Sequence, residues 1–415
     1  MNTTVILGSG IIGVSTAYYL SETQPPLSIH LVEPSPEFFS SASGFAGGFL
    51  AKDWFASRLA SLGELSFNEH KRLAAENDGR QNWGYAKSDT FSHASGPQSL
   101  RGDADSDWLD TGESRAQVTQ AAGTIDTTMP AWLRRREGDN VQSISEDGTT
   151  AQVDPLRLCR FLLEACRSRG VQIHHPAKAL SVGADAIHGE LSSIRIAQTD
   201  TSTETDVPCT QILIAAGAWT PQVFATLFPL SKTTIPIKAL SGHSLVLRPP
   251  APHHPDVCHA IYSTAADSWS PELFSRLGGT FYVAGLNSTA EHLPALPAEA
   301  PIRPDSIAAL RRAAARLVER GDELEVVREG HCFRPVTETG APLLCRVPDA
   351  ALGPGVATRP GAGGGVFVAA GHGPWGIALG VGTGRVVAEM MQGRPLSAEE
   401  LIRLSKALVS DLLIP

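Results

Sequence analysis

Gly8-Ser9-Gly10-Ile11-Ile12-Gly13 stands between a β-branched run, Thr3–Leu7, and an apolar stretch reaching through Tyr18 to Leu20. A strand that enters such a turn and leaves it as a helix is narrowly constrained: the glycines allow a tight bend and a close backbone approach. The N–H groups at the helix start then point at an anion, and a pyrophosphate fits there. After the breaker Thr23-Gln24-Pro25-Pro26 a second buried strand, Leu27–Val32, ends at Glu33 and Pro34, which completes a βαβ unit. Glu33, 20 residues after Gly13, is placed to accept hydrogen bonds from ribose hydroxyls. Its charge repels a 2′-phosphate, so FAD or NAD is expected rather than NADP. The bland reading, a glycine turn in an ordinary α/β sheet with a surface Glu, is outweighed by the surrounding strand–turn–helix–strand pattern.

The chain has 415 residues, more than one ordinary domain holds. Hydrophobic residues at 42% and charged residues at 19% exclude a disordered chain, and 39 Gly with 29 Pro indicate many loops. With 34 Lys plus Arg against 43 Asp plus Glu, no global positive field draws in nucleic acid or anionic lipid. Neither is expected as a partner. The six cysteines (159, 166, 209, 258, 332 and 345) are scattered without a C-x-x-C pair, which suits a reducing compartment. The opening MNTTVILGSG lacks a basic leader region, and no run of about 20 apolar residues is free of Gly, Pro or charge. The expected localisation is cytoplasmic.

Further along, Ser40–Phe49 is a second stretch of small residues. From Ser88 to about Asn140 the chain is polar and turn-rich and reads as an insertion. Asp154 and Pro155 open a helix running to a Gly170 stop, and Val171–His174 is a strand. Gln211–Ala215 is another buried strand, ending in Ala216-Gly217-Ala218-Trp219. Residues from about 231 to 330 carry strands at Ser244–Leu247 and Thr280–Val283 and a helix from Ser306 to Arg320. The final segment gives a strand, Val366–Ala370, a turn, Gly371–Gly376, and a helix through Val386 to Met391. The expected fold class is α/β. A discontinuous Rossmann-like FAD-binding domain (1–87, 150–230 and 331–415) is joined to an α+β substrate domain with a mainly antiparallel sheet (88–149 and 231–330).

A flavin is larger than nicotinamide and needs further backbone contacts for its ring. Ser41–Gly48 and Gly371–Gly376 supply two more small-residue turns after parallel strands, and the N-terminus of the last helix favours partial negative charge on the ring. These favour FAD over NAD.

Seven stretches together resemble the DAO family of FAD-dependent amine oxidases, which includes D-amino-acid, glycine and sarcosine oxidases. They are VILGSGIIGVSTAYYL with LVEP, SASGFAGGF, AQVDPLRLCRFLLEACRSRGVQIH, ILIAAGAWTP, GHCFRPVTETGAPLL and AAGHGPWGIALGVGTGRVVAEMM, and they span nearly the whole chain. SGFAGGFLAKDW and GHGPWGIALGVGTG look closest to fungal and plant members whose substrate is unassigned. The resemblance implies FAD contacts from Gly8, Gly10, Ile11, Ile12, Gly13, Glu33, Pro34, Ser41, Ala42, Ser43, Ala46, Gly47, Gly48 and Phe49. It further implies contacts from Ala179, Ala216, Gly217, Trp219, Arg334, Gly371, His372, Gly373, Pro374, Trp375, Gly376 and Ile377.

Arg334 stands where the family's Arg-Pro binds a substrate carboxylate, a task that suits a planar guanidinium; it is the expected catalytic-site residue. His372 matches the family's Gly-His-Gly turn and is read as placing the cofactor rather than moving a proton. Cys332 lies near where some relatives attach FAD through a thioether; buried Cys is more often inert packing, so non-covalent FAD is expected. His243, Tyr262 and Tyr282 are candidates to face substrate, with core packing as the commoner role. Lys52 is a candidate for oxygen activation, with a solvent-facing lysine the commoner reading. His253-His254 has no ligand partners at suitable spacing, so no metal is expected.

The reaction so implied is hydride transfer from an amine or amino acid to flavin N5, giving an imine and, with O2, hydrogen peroxide. Alternatives are an FAD-dependent dehydrogenase or imine-processing enzyme that does not use O2, a non-catalytic FAD-binding protein, and an NAD dehydrogenase.

Overall fold

The computed structural model describes residues 2–95, 129–251, 256–264 and 269–398. Much of the polar insertion and the His253-His254 pair lie outside the described residues.

The strand Thr4–Leu7 is buried at every position, as a central strand covered on both faces must be. It pairs in parallel with Ile29–Val32 on one side and Gln211–Ile214 on the other. The six-stranded sheet runs Leu343–Val347, Gly365–Ala370, Gln211–Ile214, Thr4–Leu7, Ile29–Val32, Gln172–His174, with only the first of these antiparallel to its neighbour. Alternation along each strand feeds two cores. Ile6, Leu31, Leu213 and Phe367 pack under helices Ile11–Leu20, Ser57–Glu76, Pro155–Arg169 and Gly376–Met391. Val5, Leu7, Ile212, Ile214 and Val368 face a three-stranded antiparallel sheet (Ala177–Ala184, Leu191–Gln198, Glu204–Pro208) and helix Thr220–Leu227.

The first and last helices pack closely because the last one presents glycines. A Cβ at Gly384 would lie 2.4 Å from that of Ser15, and one at Gly380 would lie 2.7 Å from Ile11. Pro155–Arg169 starts and stops as its sequence dictates. The Asp154 side chain accepts from the Arg157 amide at 3.1 Å, and Gly170 takes φ +100° at the far end. Asp154→Ala is expected to cost about 1 kcal/mol, read as a lowered urea midpoint at unchanged slope; an unchanged midpoint removes the cap from the account.

The second sheet has nine strands. Its path runs Glu325–Val336, Lys238–Arg248, Thr280–Ser288, Glu272–Arg276, Cys258–Thr264, Ala86–Ala94, Thr150–Gln152, Phe49–Ala51, with Asn140–Ser143 beside Ala86–Ala94. It is mainly antiparallel, the Cys258–Thr264 and Ala86–Ala94 pair being parallel. Phe49–Ala51 and Thr150–Gln152 join this sheet, not the parallel one, and Glu325–Val336 runs unbroken past residue 331. The helix expected over Ser306–Arg320 spans Pro304–Leu317, because Val318 turns extended and bridges to Leu133.

Candidate active site

A cleft of about 670 Å³ opens where the carboxyl ends of Thr4–Leu7, Ile29–Val32 and Gln211–Ile214 meet the second sheet. This is the position in open α/β sheets where ligands bind. Every residue expected to touch a cofactor lines it except Gly13, Gly371 and Trp375.

The reasons for those three are physical. A Cβ on Gly13 would fall 1.9 Å from the Gly8 carbonyl oxygen, so Gly13 serves to press helix on strand. Gly371 supplies a left-handed bend, φ +91°. Trp375 turns its ring edge to Phe55, with centroids 4.9 Å apart.

At the nucleotide end Gly8 takes φ +103°, and a Cβ there would lie 2.5 Å from the Ala215 carbonyl oxygen. Gly10 precedes the helix, whose first amide, that of Ile11, donates to Ser43 Oγ at 2.9 Å. The two glycine-rich loops thus meet at the helix N-terminus. Glu33 is 7% exposed and held in place: Oε2 accepts from the Ser9 amide at 3.0 Å and the Ser9 hydroxyl at 2.7 Å, and Oε1 from the Ser35 amide at 2.9 Å. A carboxylate offers about four acceptor positions, so roughly one is left on Oε1 for a ligand hydroxyl.

The second loop is gripped from the other sheet. Arg276, 3% exposed, donates from Nη2 to the carbonyls of Ala46 and Gly47, each at 2.9 Å, and its Nη1 lies 3.8 Å from Asp154. Tyr282 donates its hydroxyl to the Phe45 carbonyl at 3.0 Å, and Gln152 Nε2 donates to the Gly47 carbonyl at 2.7 Å. Gly47 leaves no room for a side chain: a Cβ would meet the Phe274 ring at 2.5 Å. Three consecutive carbonyls are so turned toward the cap. Arg276, Tyr282 and Gln152 carry this arrangement, and sequence reasoning reached only Tyr282, as a substrate candidate.

His372 is 4% exposed; its Nε2 meets Thr383 Oγ1 at 3.0 Å, and Nδ1 has no hydrogen-bond partner among the described residues. Burial pushes its imidazole down to about 3, so it stays neutral. A neutral imidazole with one uncommitted ring nitrogen beside the cleft suits a hydrogen bond to a ligand. Deeper, His70 Nε2 meets the Ile377 carbonyl at 2.9 Å, and burial lowers its pKa from 6.5 to about 4. A folded-state pKa below the unfolded one means the unfolded chain binds the extra proton. The stabilisation is therefore full above pH 6.5 and is lost as pH falls toward 4. Between pH 6.5 and 5 His70 is expected to remove about 2 kcal/mol of stability, visible as a denaturant midpoint that falls with pH and falls less in His70→Gln. Equal falls in both chains contradict it.

At the cap end Arg334 projects from Glu325–Val336 and donates from Nη1 to Asn287 Oδ1 at 2.9 Å. Burial works against its charge, but nearby Cys332, Tyr282 and Glu272 outweigh that and hold the guanidinium above its usual range. The space exists because residue 242 is glycine: a Cβ there would sit 2.1 Å from Arg334 Nη1. Leu293–Pro297 forms another wall, tied by the Trp219 indole N–H donating to the Pro294 carbonyl at 2.8 Å.

The remaining candidates separate. Tyr282 lines the cleft; Tyr262 packs behind it against Phe49 and Phe274. His243 is buried away from the cleft, stacked on His331 at 4.0 Å. Lys52 pairs with Glu64 at 2.9 Å on the surface. Cys332 lines the cleft, and burial raises its thiol pKa. Among the described residues no cluster suited to a metal ion exists, and no helix is long and apolar enough to cross a membrane.

Comparison with known proteins agrees with this layout. The DAO family model, described as FAD dependent oxidoreductase, matches residues 3–390. A Schizosaccharomyces pombe protein named as an oxidoreductase is 28% identical over 409 residues, covering 93% of each chain. A glycine oxidase of Bacillus licheniformis is 22% identical, covering 95% of this chain and 94% of its own. The crystal structure of glycine oxidase from Geobacillus kaustophilus superposes with a TM-score of 0.67 at 19% identity, covering 95% of each chain.

Proposed function

This chain belongs to the DAO family of FAD-dependent oxidoreductases, and from that premise we propose that it oxidises the C–N bond of a carboxylate-bearing amine to an imine. The observation that carries the reading is that Gly8 and Gly10 of the glycine fingerprint and Arg334 line the same cleft. The two glycine loops, Glu33 and the unpartnered His372 Nδ1 fit FAD laid along that cleft. FAD held there would supply a hydride acceptor for the substrate α-C–H and a route for two electrons to O2, with hydrogen peroxide as the product.

The protein's share is position and electrostatics. Arg334, turned by Asn287, anchors the carboxylate with its remaining N–H donors. Phe49, Phe274 and Tyr282 exclude water beside it. An amine that arrives unprotonated needs no dedicated base, and a neutral His372 fits a placing role. FAD is held without a covalent bond, since burial keeps Cys332 as thiol, the less nucleophilic form.

An anaerobic panel of amines read at the flavin band tests this. Bleaching by at least one amino acid is expected, with colour returning in air; intact yellow absorption with every amine overturns the reading. Bleaching without return in air retains amine oxidation but transfers the electrons to an acceptor other than O2. Acid precipitation that leaves the flavin on the protein overturns non-covalent attachment.

A further inference from the structure

The loop that carries Ala46, Gly47 and Gly48 has a buried cation behind it. Arg276 is 3% exposed and does not line the cleft; it donates from Nη2 to the carbonyls of Ala46 and Gly47, each at 2.9 Å. A trans peptide sets its C=O and N–H in opposite directions, so the amides of Gly47 and Gly48 turn away from Arg276. Both glycines line the cleft, and among the described residues neither amide donates to a backbone carbonyl. We propose that Arg276 raises the reduction potential of the bound flavin, its charge acting through these two peptide units to stabilise the negative charge that the ring gains on reduction. This inference rests on the FAD reading above and gives a residue of the cap sheet a part in the same reaction.

The charge behind the loop is not cancelled. Arg276 Nη1 lies 3.8 Å from Asp154 Oδ2, too far for a hydrogen bond, and the Asp154 side chain is 30% exposed with Oδ1 taken by the Arg157 amide. Arg328 adds a second cation: its guanidinium carbon lies 5.2 Å from the centre of the Phe45 ring, and it stands close enough to Arg276 for the two charges to repel. Two guanidinium groups against one carboxylate leave the site positive. A guanidinium keeps its proton throughout the working pH range, and a buried charge is weakly screened, so the field is a permanent part of the site.

Holding the loop does not by itself require a charge. Gln152 Nε2 donates to the Gly47 carbonyl at 2.7 Å and the Tyr282 hydroxyl to the Phe45 carbonyl at 3.0 Å, and both donors are neutral. A buried guanidinium costs more than either. Its distinctive effect is to polarise the peptide units it touches, leaving their N–H ends more positive toward whatever occupies the cleft. Charge placed beside a flavin is one of the means by which a protein tunes that cofactor.

The test measures the midpoint potential of the FAD-loaded protein by anaerobic photoreduction against a reference dye, with no amine present. Arg276→Met is expected to lower it by the equivalent of about tenfold or more in the ratio of reduced to oxidised flavin, about 30 mV for two electrons. Arg276→Lys, which returns the charge without the fork, is expected to stay within about threefold of the wild type. Asp154→Asn keeps a good helix cap and removes the opposing charge, so it is expected to move the potential upward by about threefold in the same ratio. That variant leaves the bonds from Arg276 to the loop in place and reads the field even where Arg276→Met fails to fold or to hold FAD. An unchanged potential in Arg276→Met overturns the proposal. So does an equal fall in the Met and Lys variants, which assigns Arg276 to the shape of the loop alone, and so does the absence of a rise in Asp154→Asn. Shifts of the expected sign in a protein whose flavin no amine bleaches retain this inference and overturn amine oxidation. A wild-type protein that binds no FAD overturns both.

Discussion

Arg334→Ala is expected to lower kcat/KM for carboxylate-bearing amines by about 10²–10³-fold, the effect of about 3–4 kcal/mol of lost anchoring. The flavin spectrum and the melting temperature of the loaded protein should change little, because the side chain meets Asn287 and the cleft, not the parallel sheet. The loss should fall mainly on the carboxylate: an amine lacking one is expected to react at a similar rate with either chain. Gly242→Ala gives an independent approach to the same group. Its Cβ would enter 2.1 Å from Arg334 Nη1 and 3.0 Å from Asn287 Oδ1, so the guanidinium must leave its place while keeping its charge. A smaller loss of the same kind is expected. Unchanged affinity for carboxylate substrates in Arg334→Ala would remove the anchoring role.

Gly13→Ala is expected to weaken FAD binding by about 10²-fold, so that the protein is purified with substoichiometric flavin. The added carbon would lie 1.9 Å from the Gly8 carbonyl oxygen and 3.4 Å from Ile6, and the first of these atoms is backbone that cannot swing aside. Either the helix moves off the strand or the Gly8 turn opens, and each displaces the amides that face the pyrophosphate. An overpacking cost of about 3 kcal/mol corresponds to roughly 10²-fold weaker binding. FAD titration followed by fluorescence quenching measures this, and circular dichroism distinguishes a folded apoprotein from an unfolded one. Retention of stoichiometric FAD by the variant would show that the glycine is not needed for close packing.

The nucleotide half was legible because its demands are local. A turn that needs φ +103° at Gly8 and a helix start at Gly10 both show in six consecutive residues, and Asp154 with Gly170 shows both ends of its helix. The cap half was not. Arg276 reaches Ala46 and Gly47 across some 230 positions, and Gly242 matters only because it lies beside Arg334 and Asn287 in a particular strand register. No periodicity encodes which strands become neighbours. The helix Ser57–Glu76 is a different kind of omission. Leu59, Leu62, His70 and Leu73 recur at helical spacing, but buried Glu69 breaks the apolar face. It is accommodated by the Tyr19 hydroxyl at 2.6 Å and by Arg72 and Arg385, partners that lie beyond the reach of a hydropathy pattern.

The glycine-bearing contact between the first and last helices bears on how the protein is made. Ile11–Leu20 leaves the ribosome early, but the helix that covers it, Gly376–Met391, emerges more than 350 residues later, with the Gly365–Ala370 strand just ahead of it. At about 5–20 residues per second that interval is roughly 20–70 s. Throughout it the flank of the nascent nucleotide loop that Gly380 and Gly384 approach in the folded protein lacks that cover, so tight flavin capture follows the emergence of Gly376–Met391.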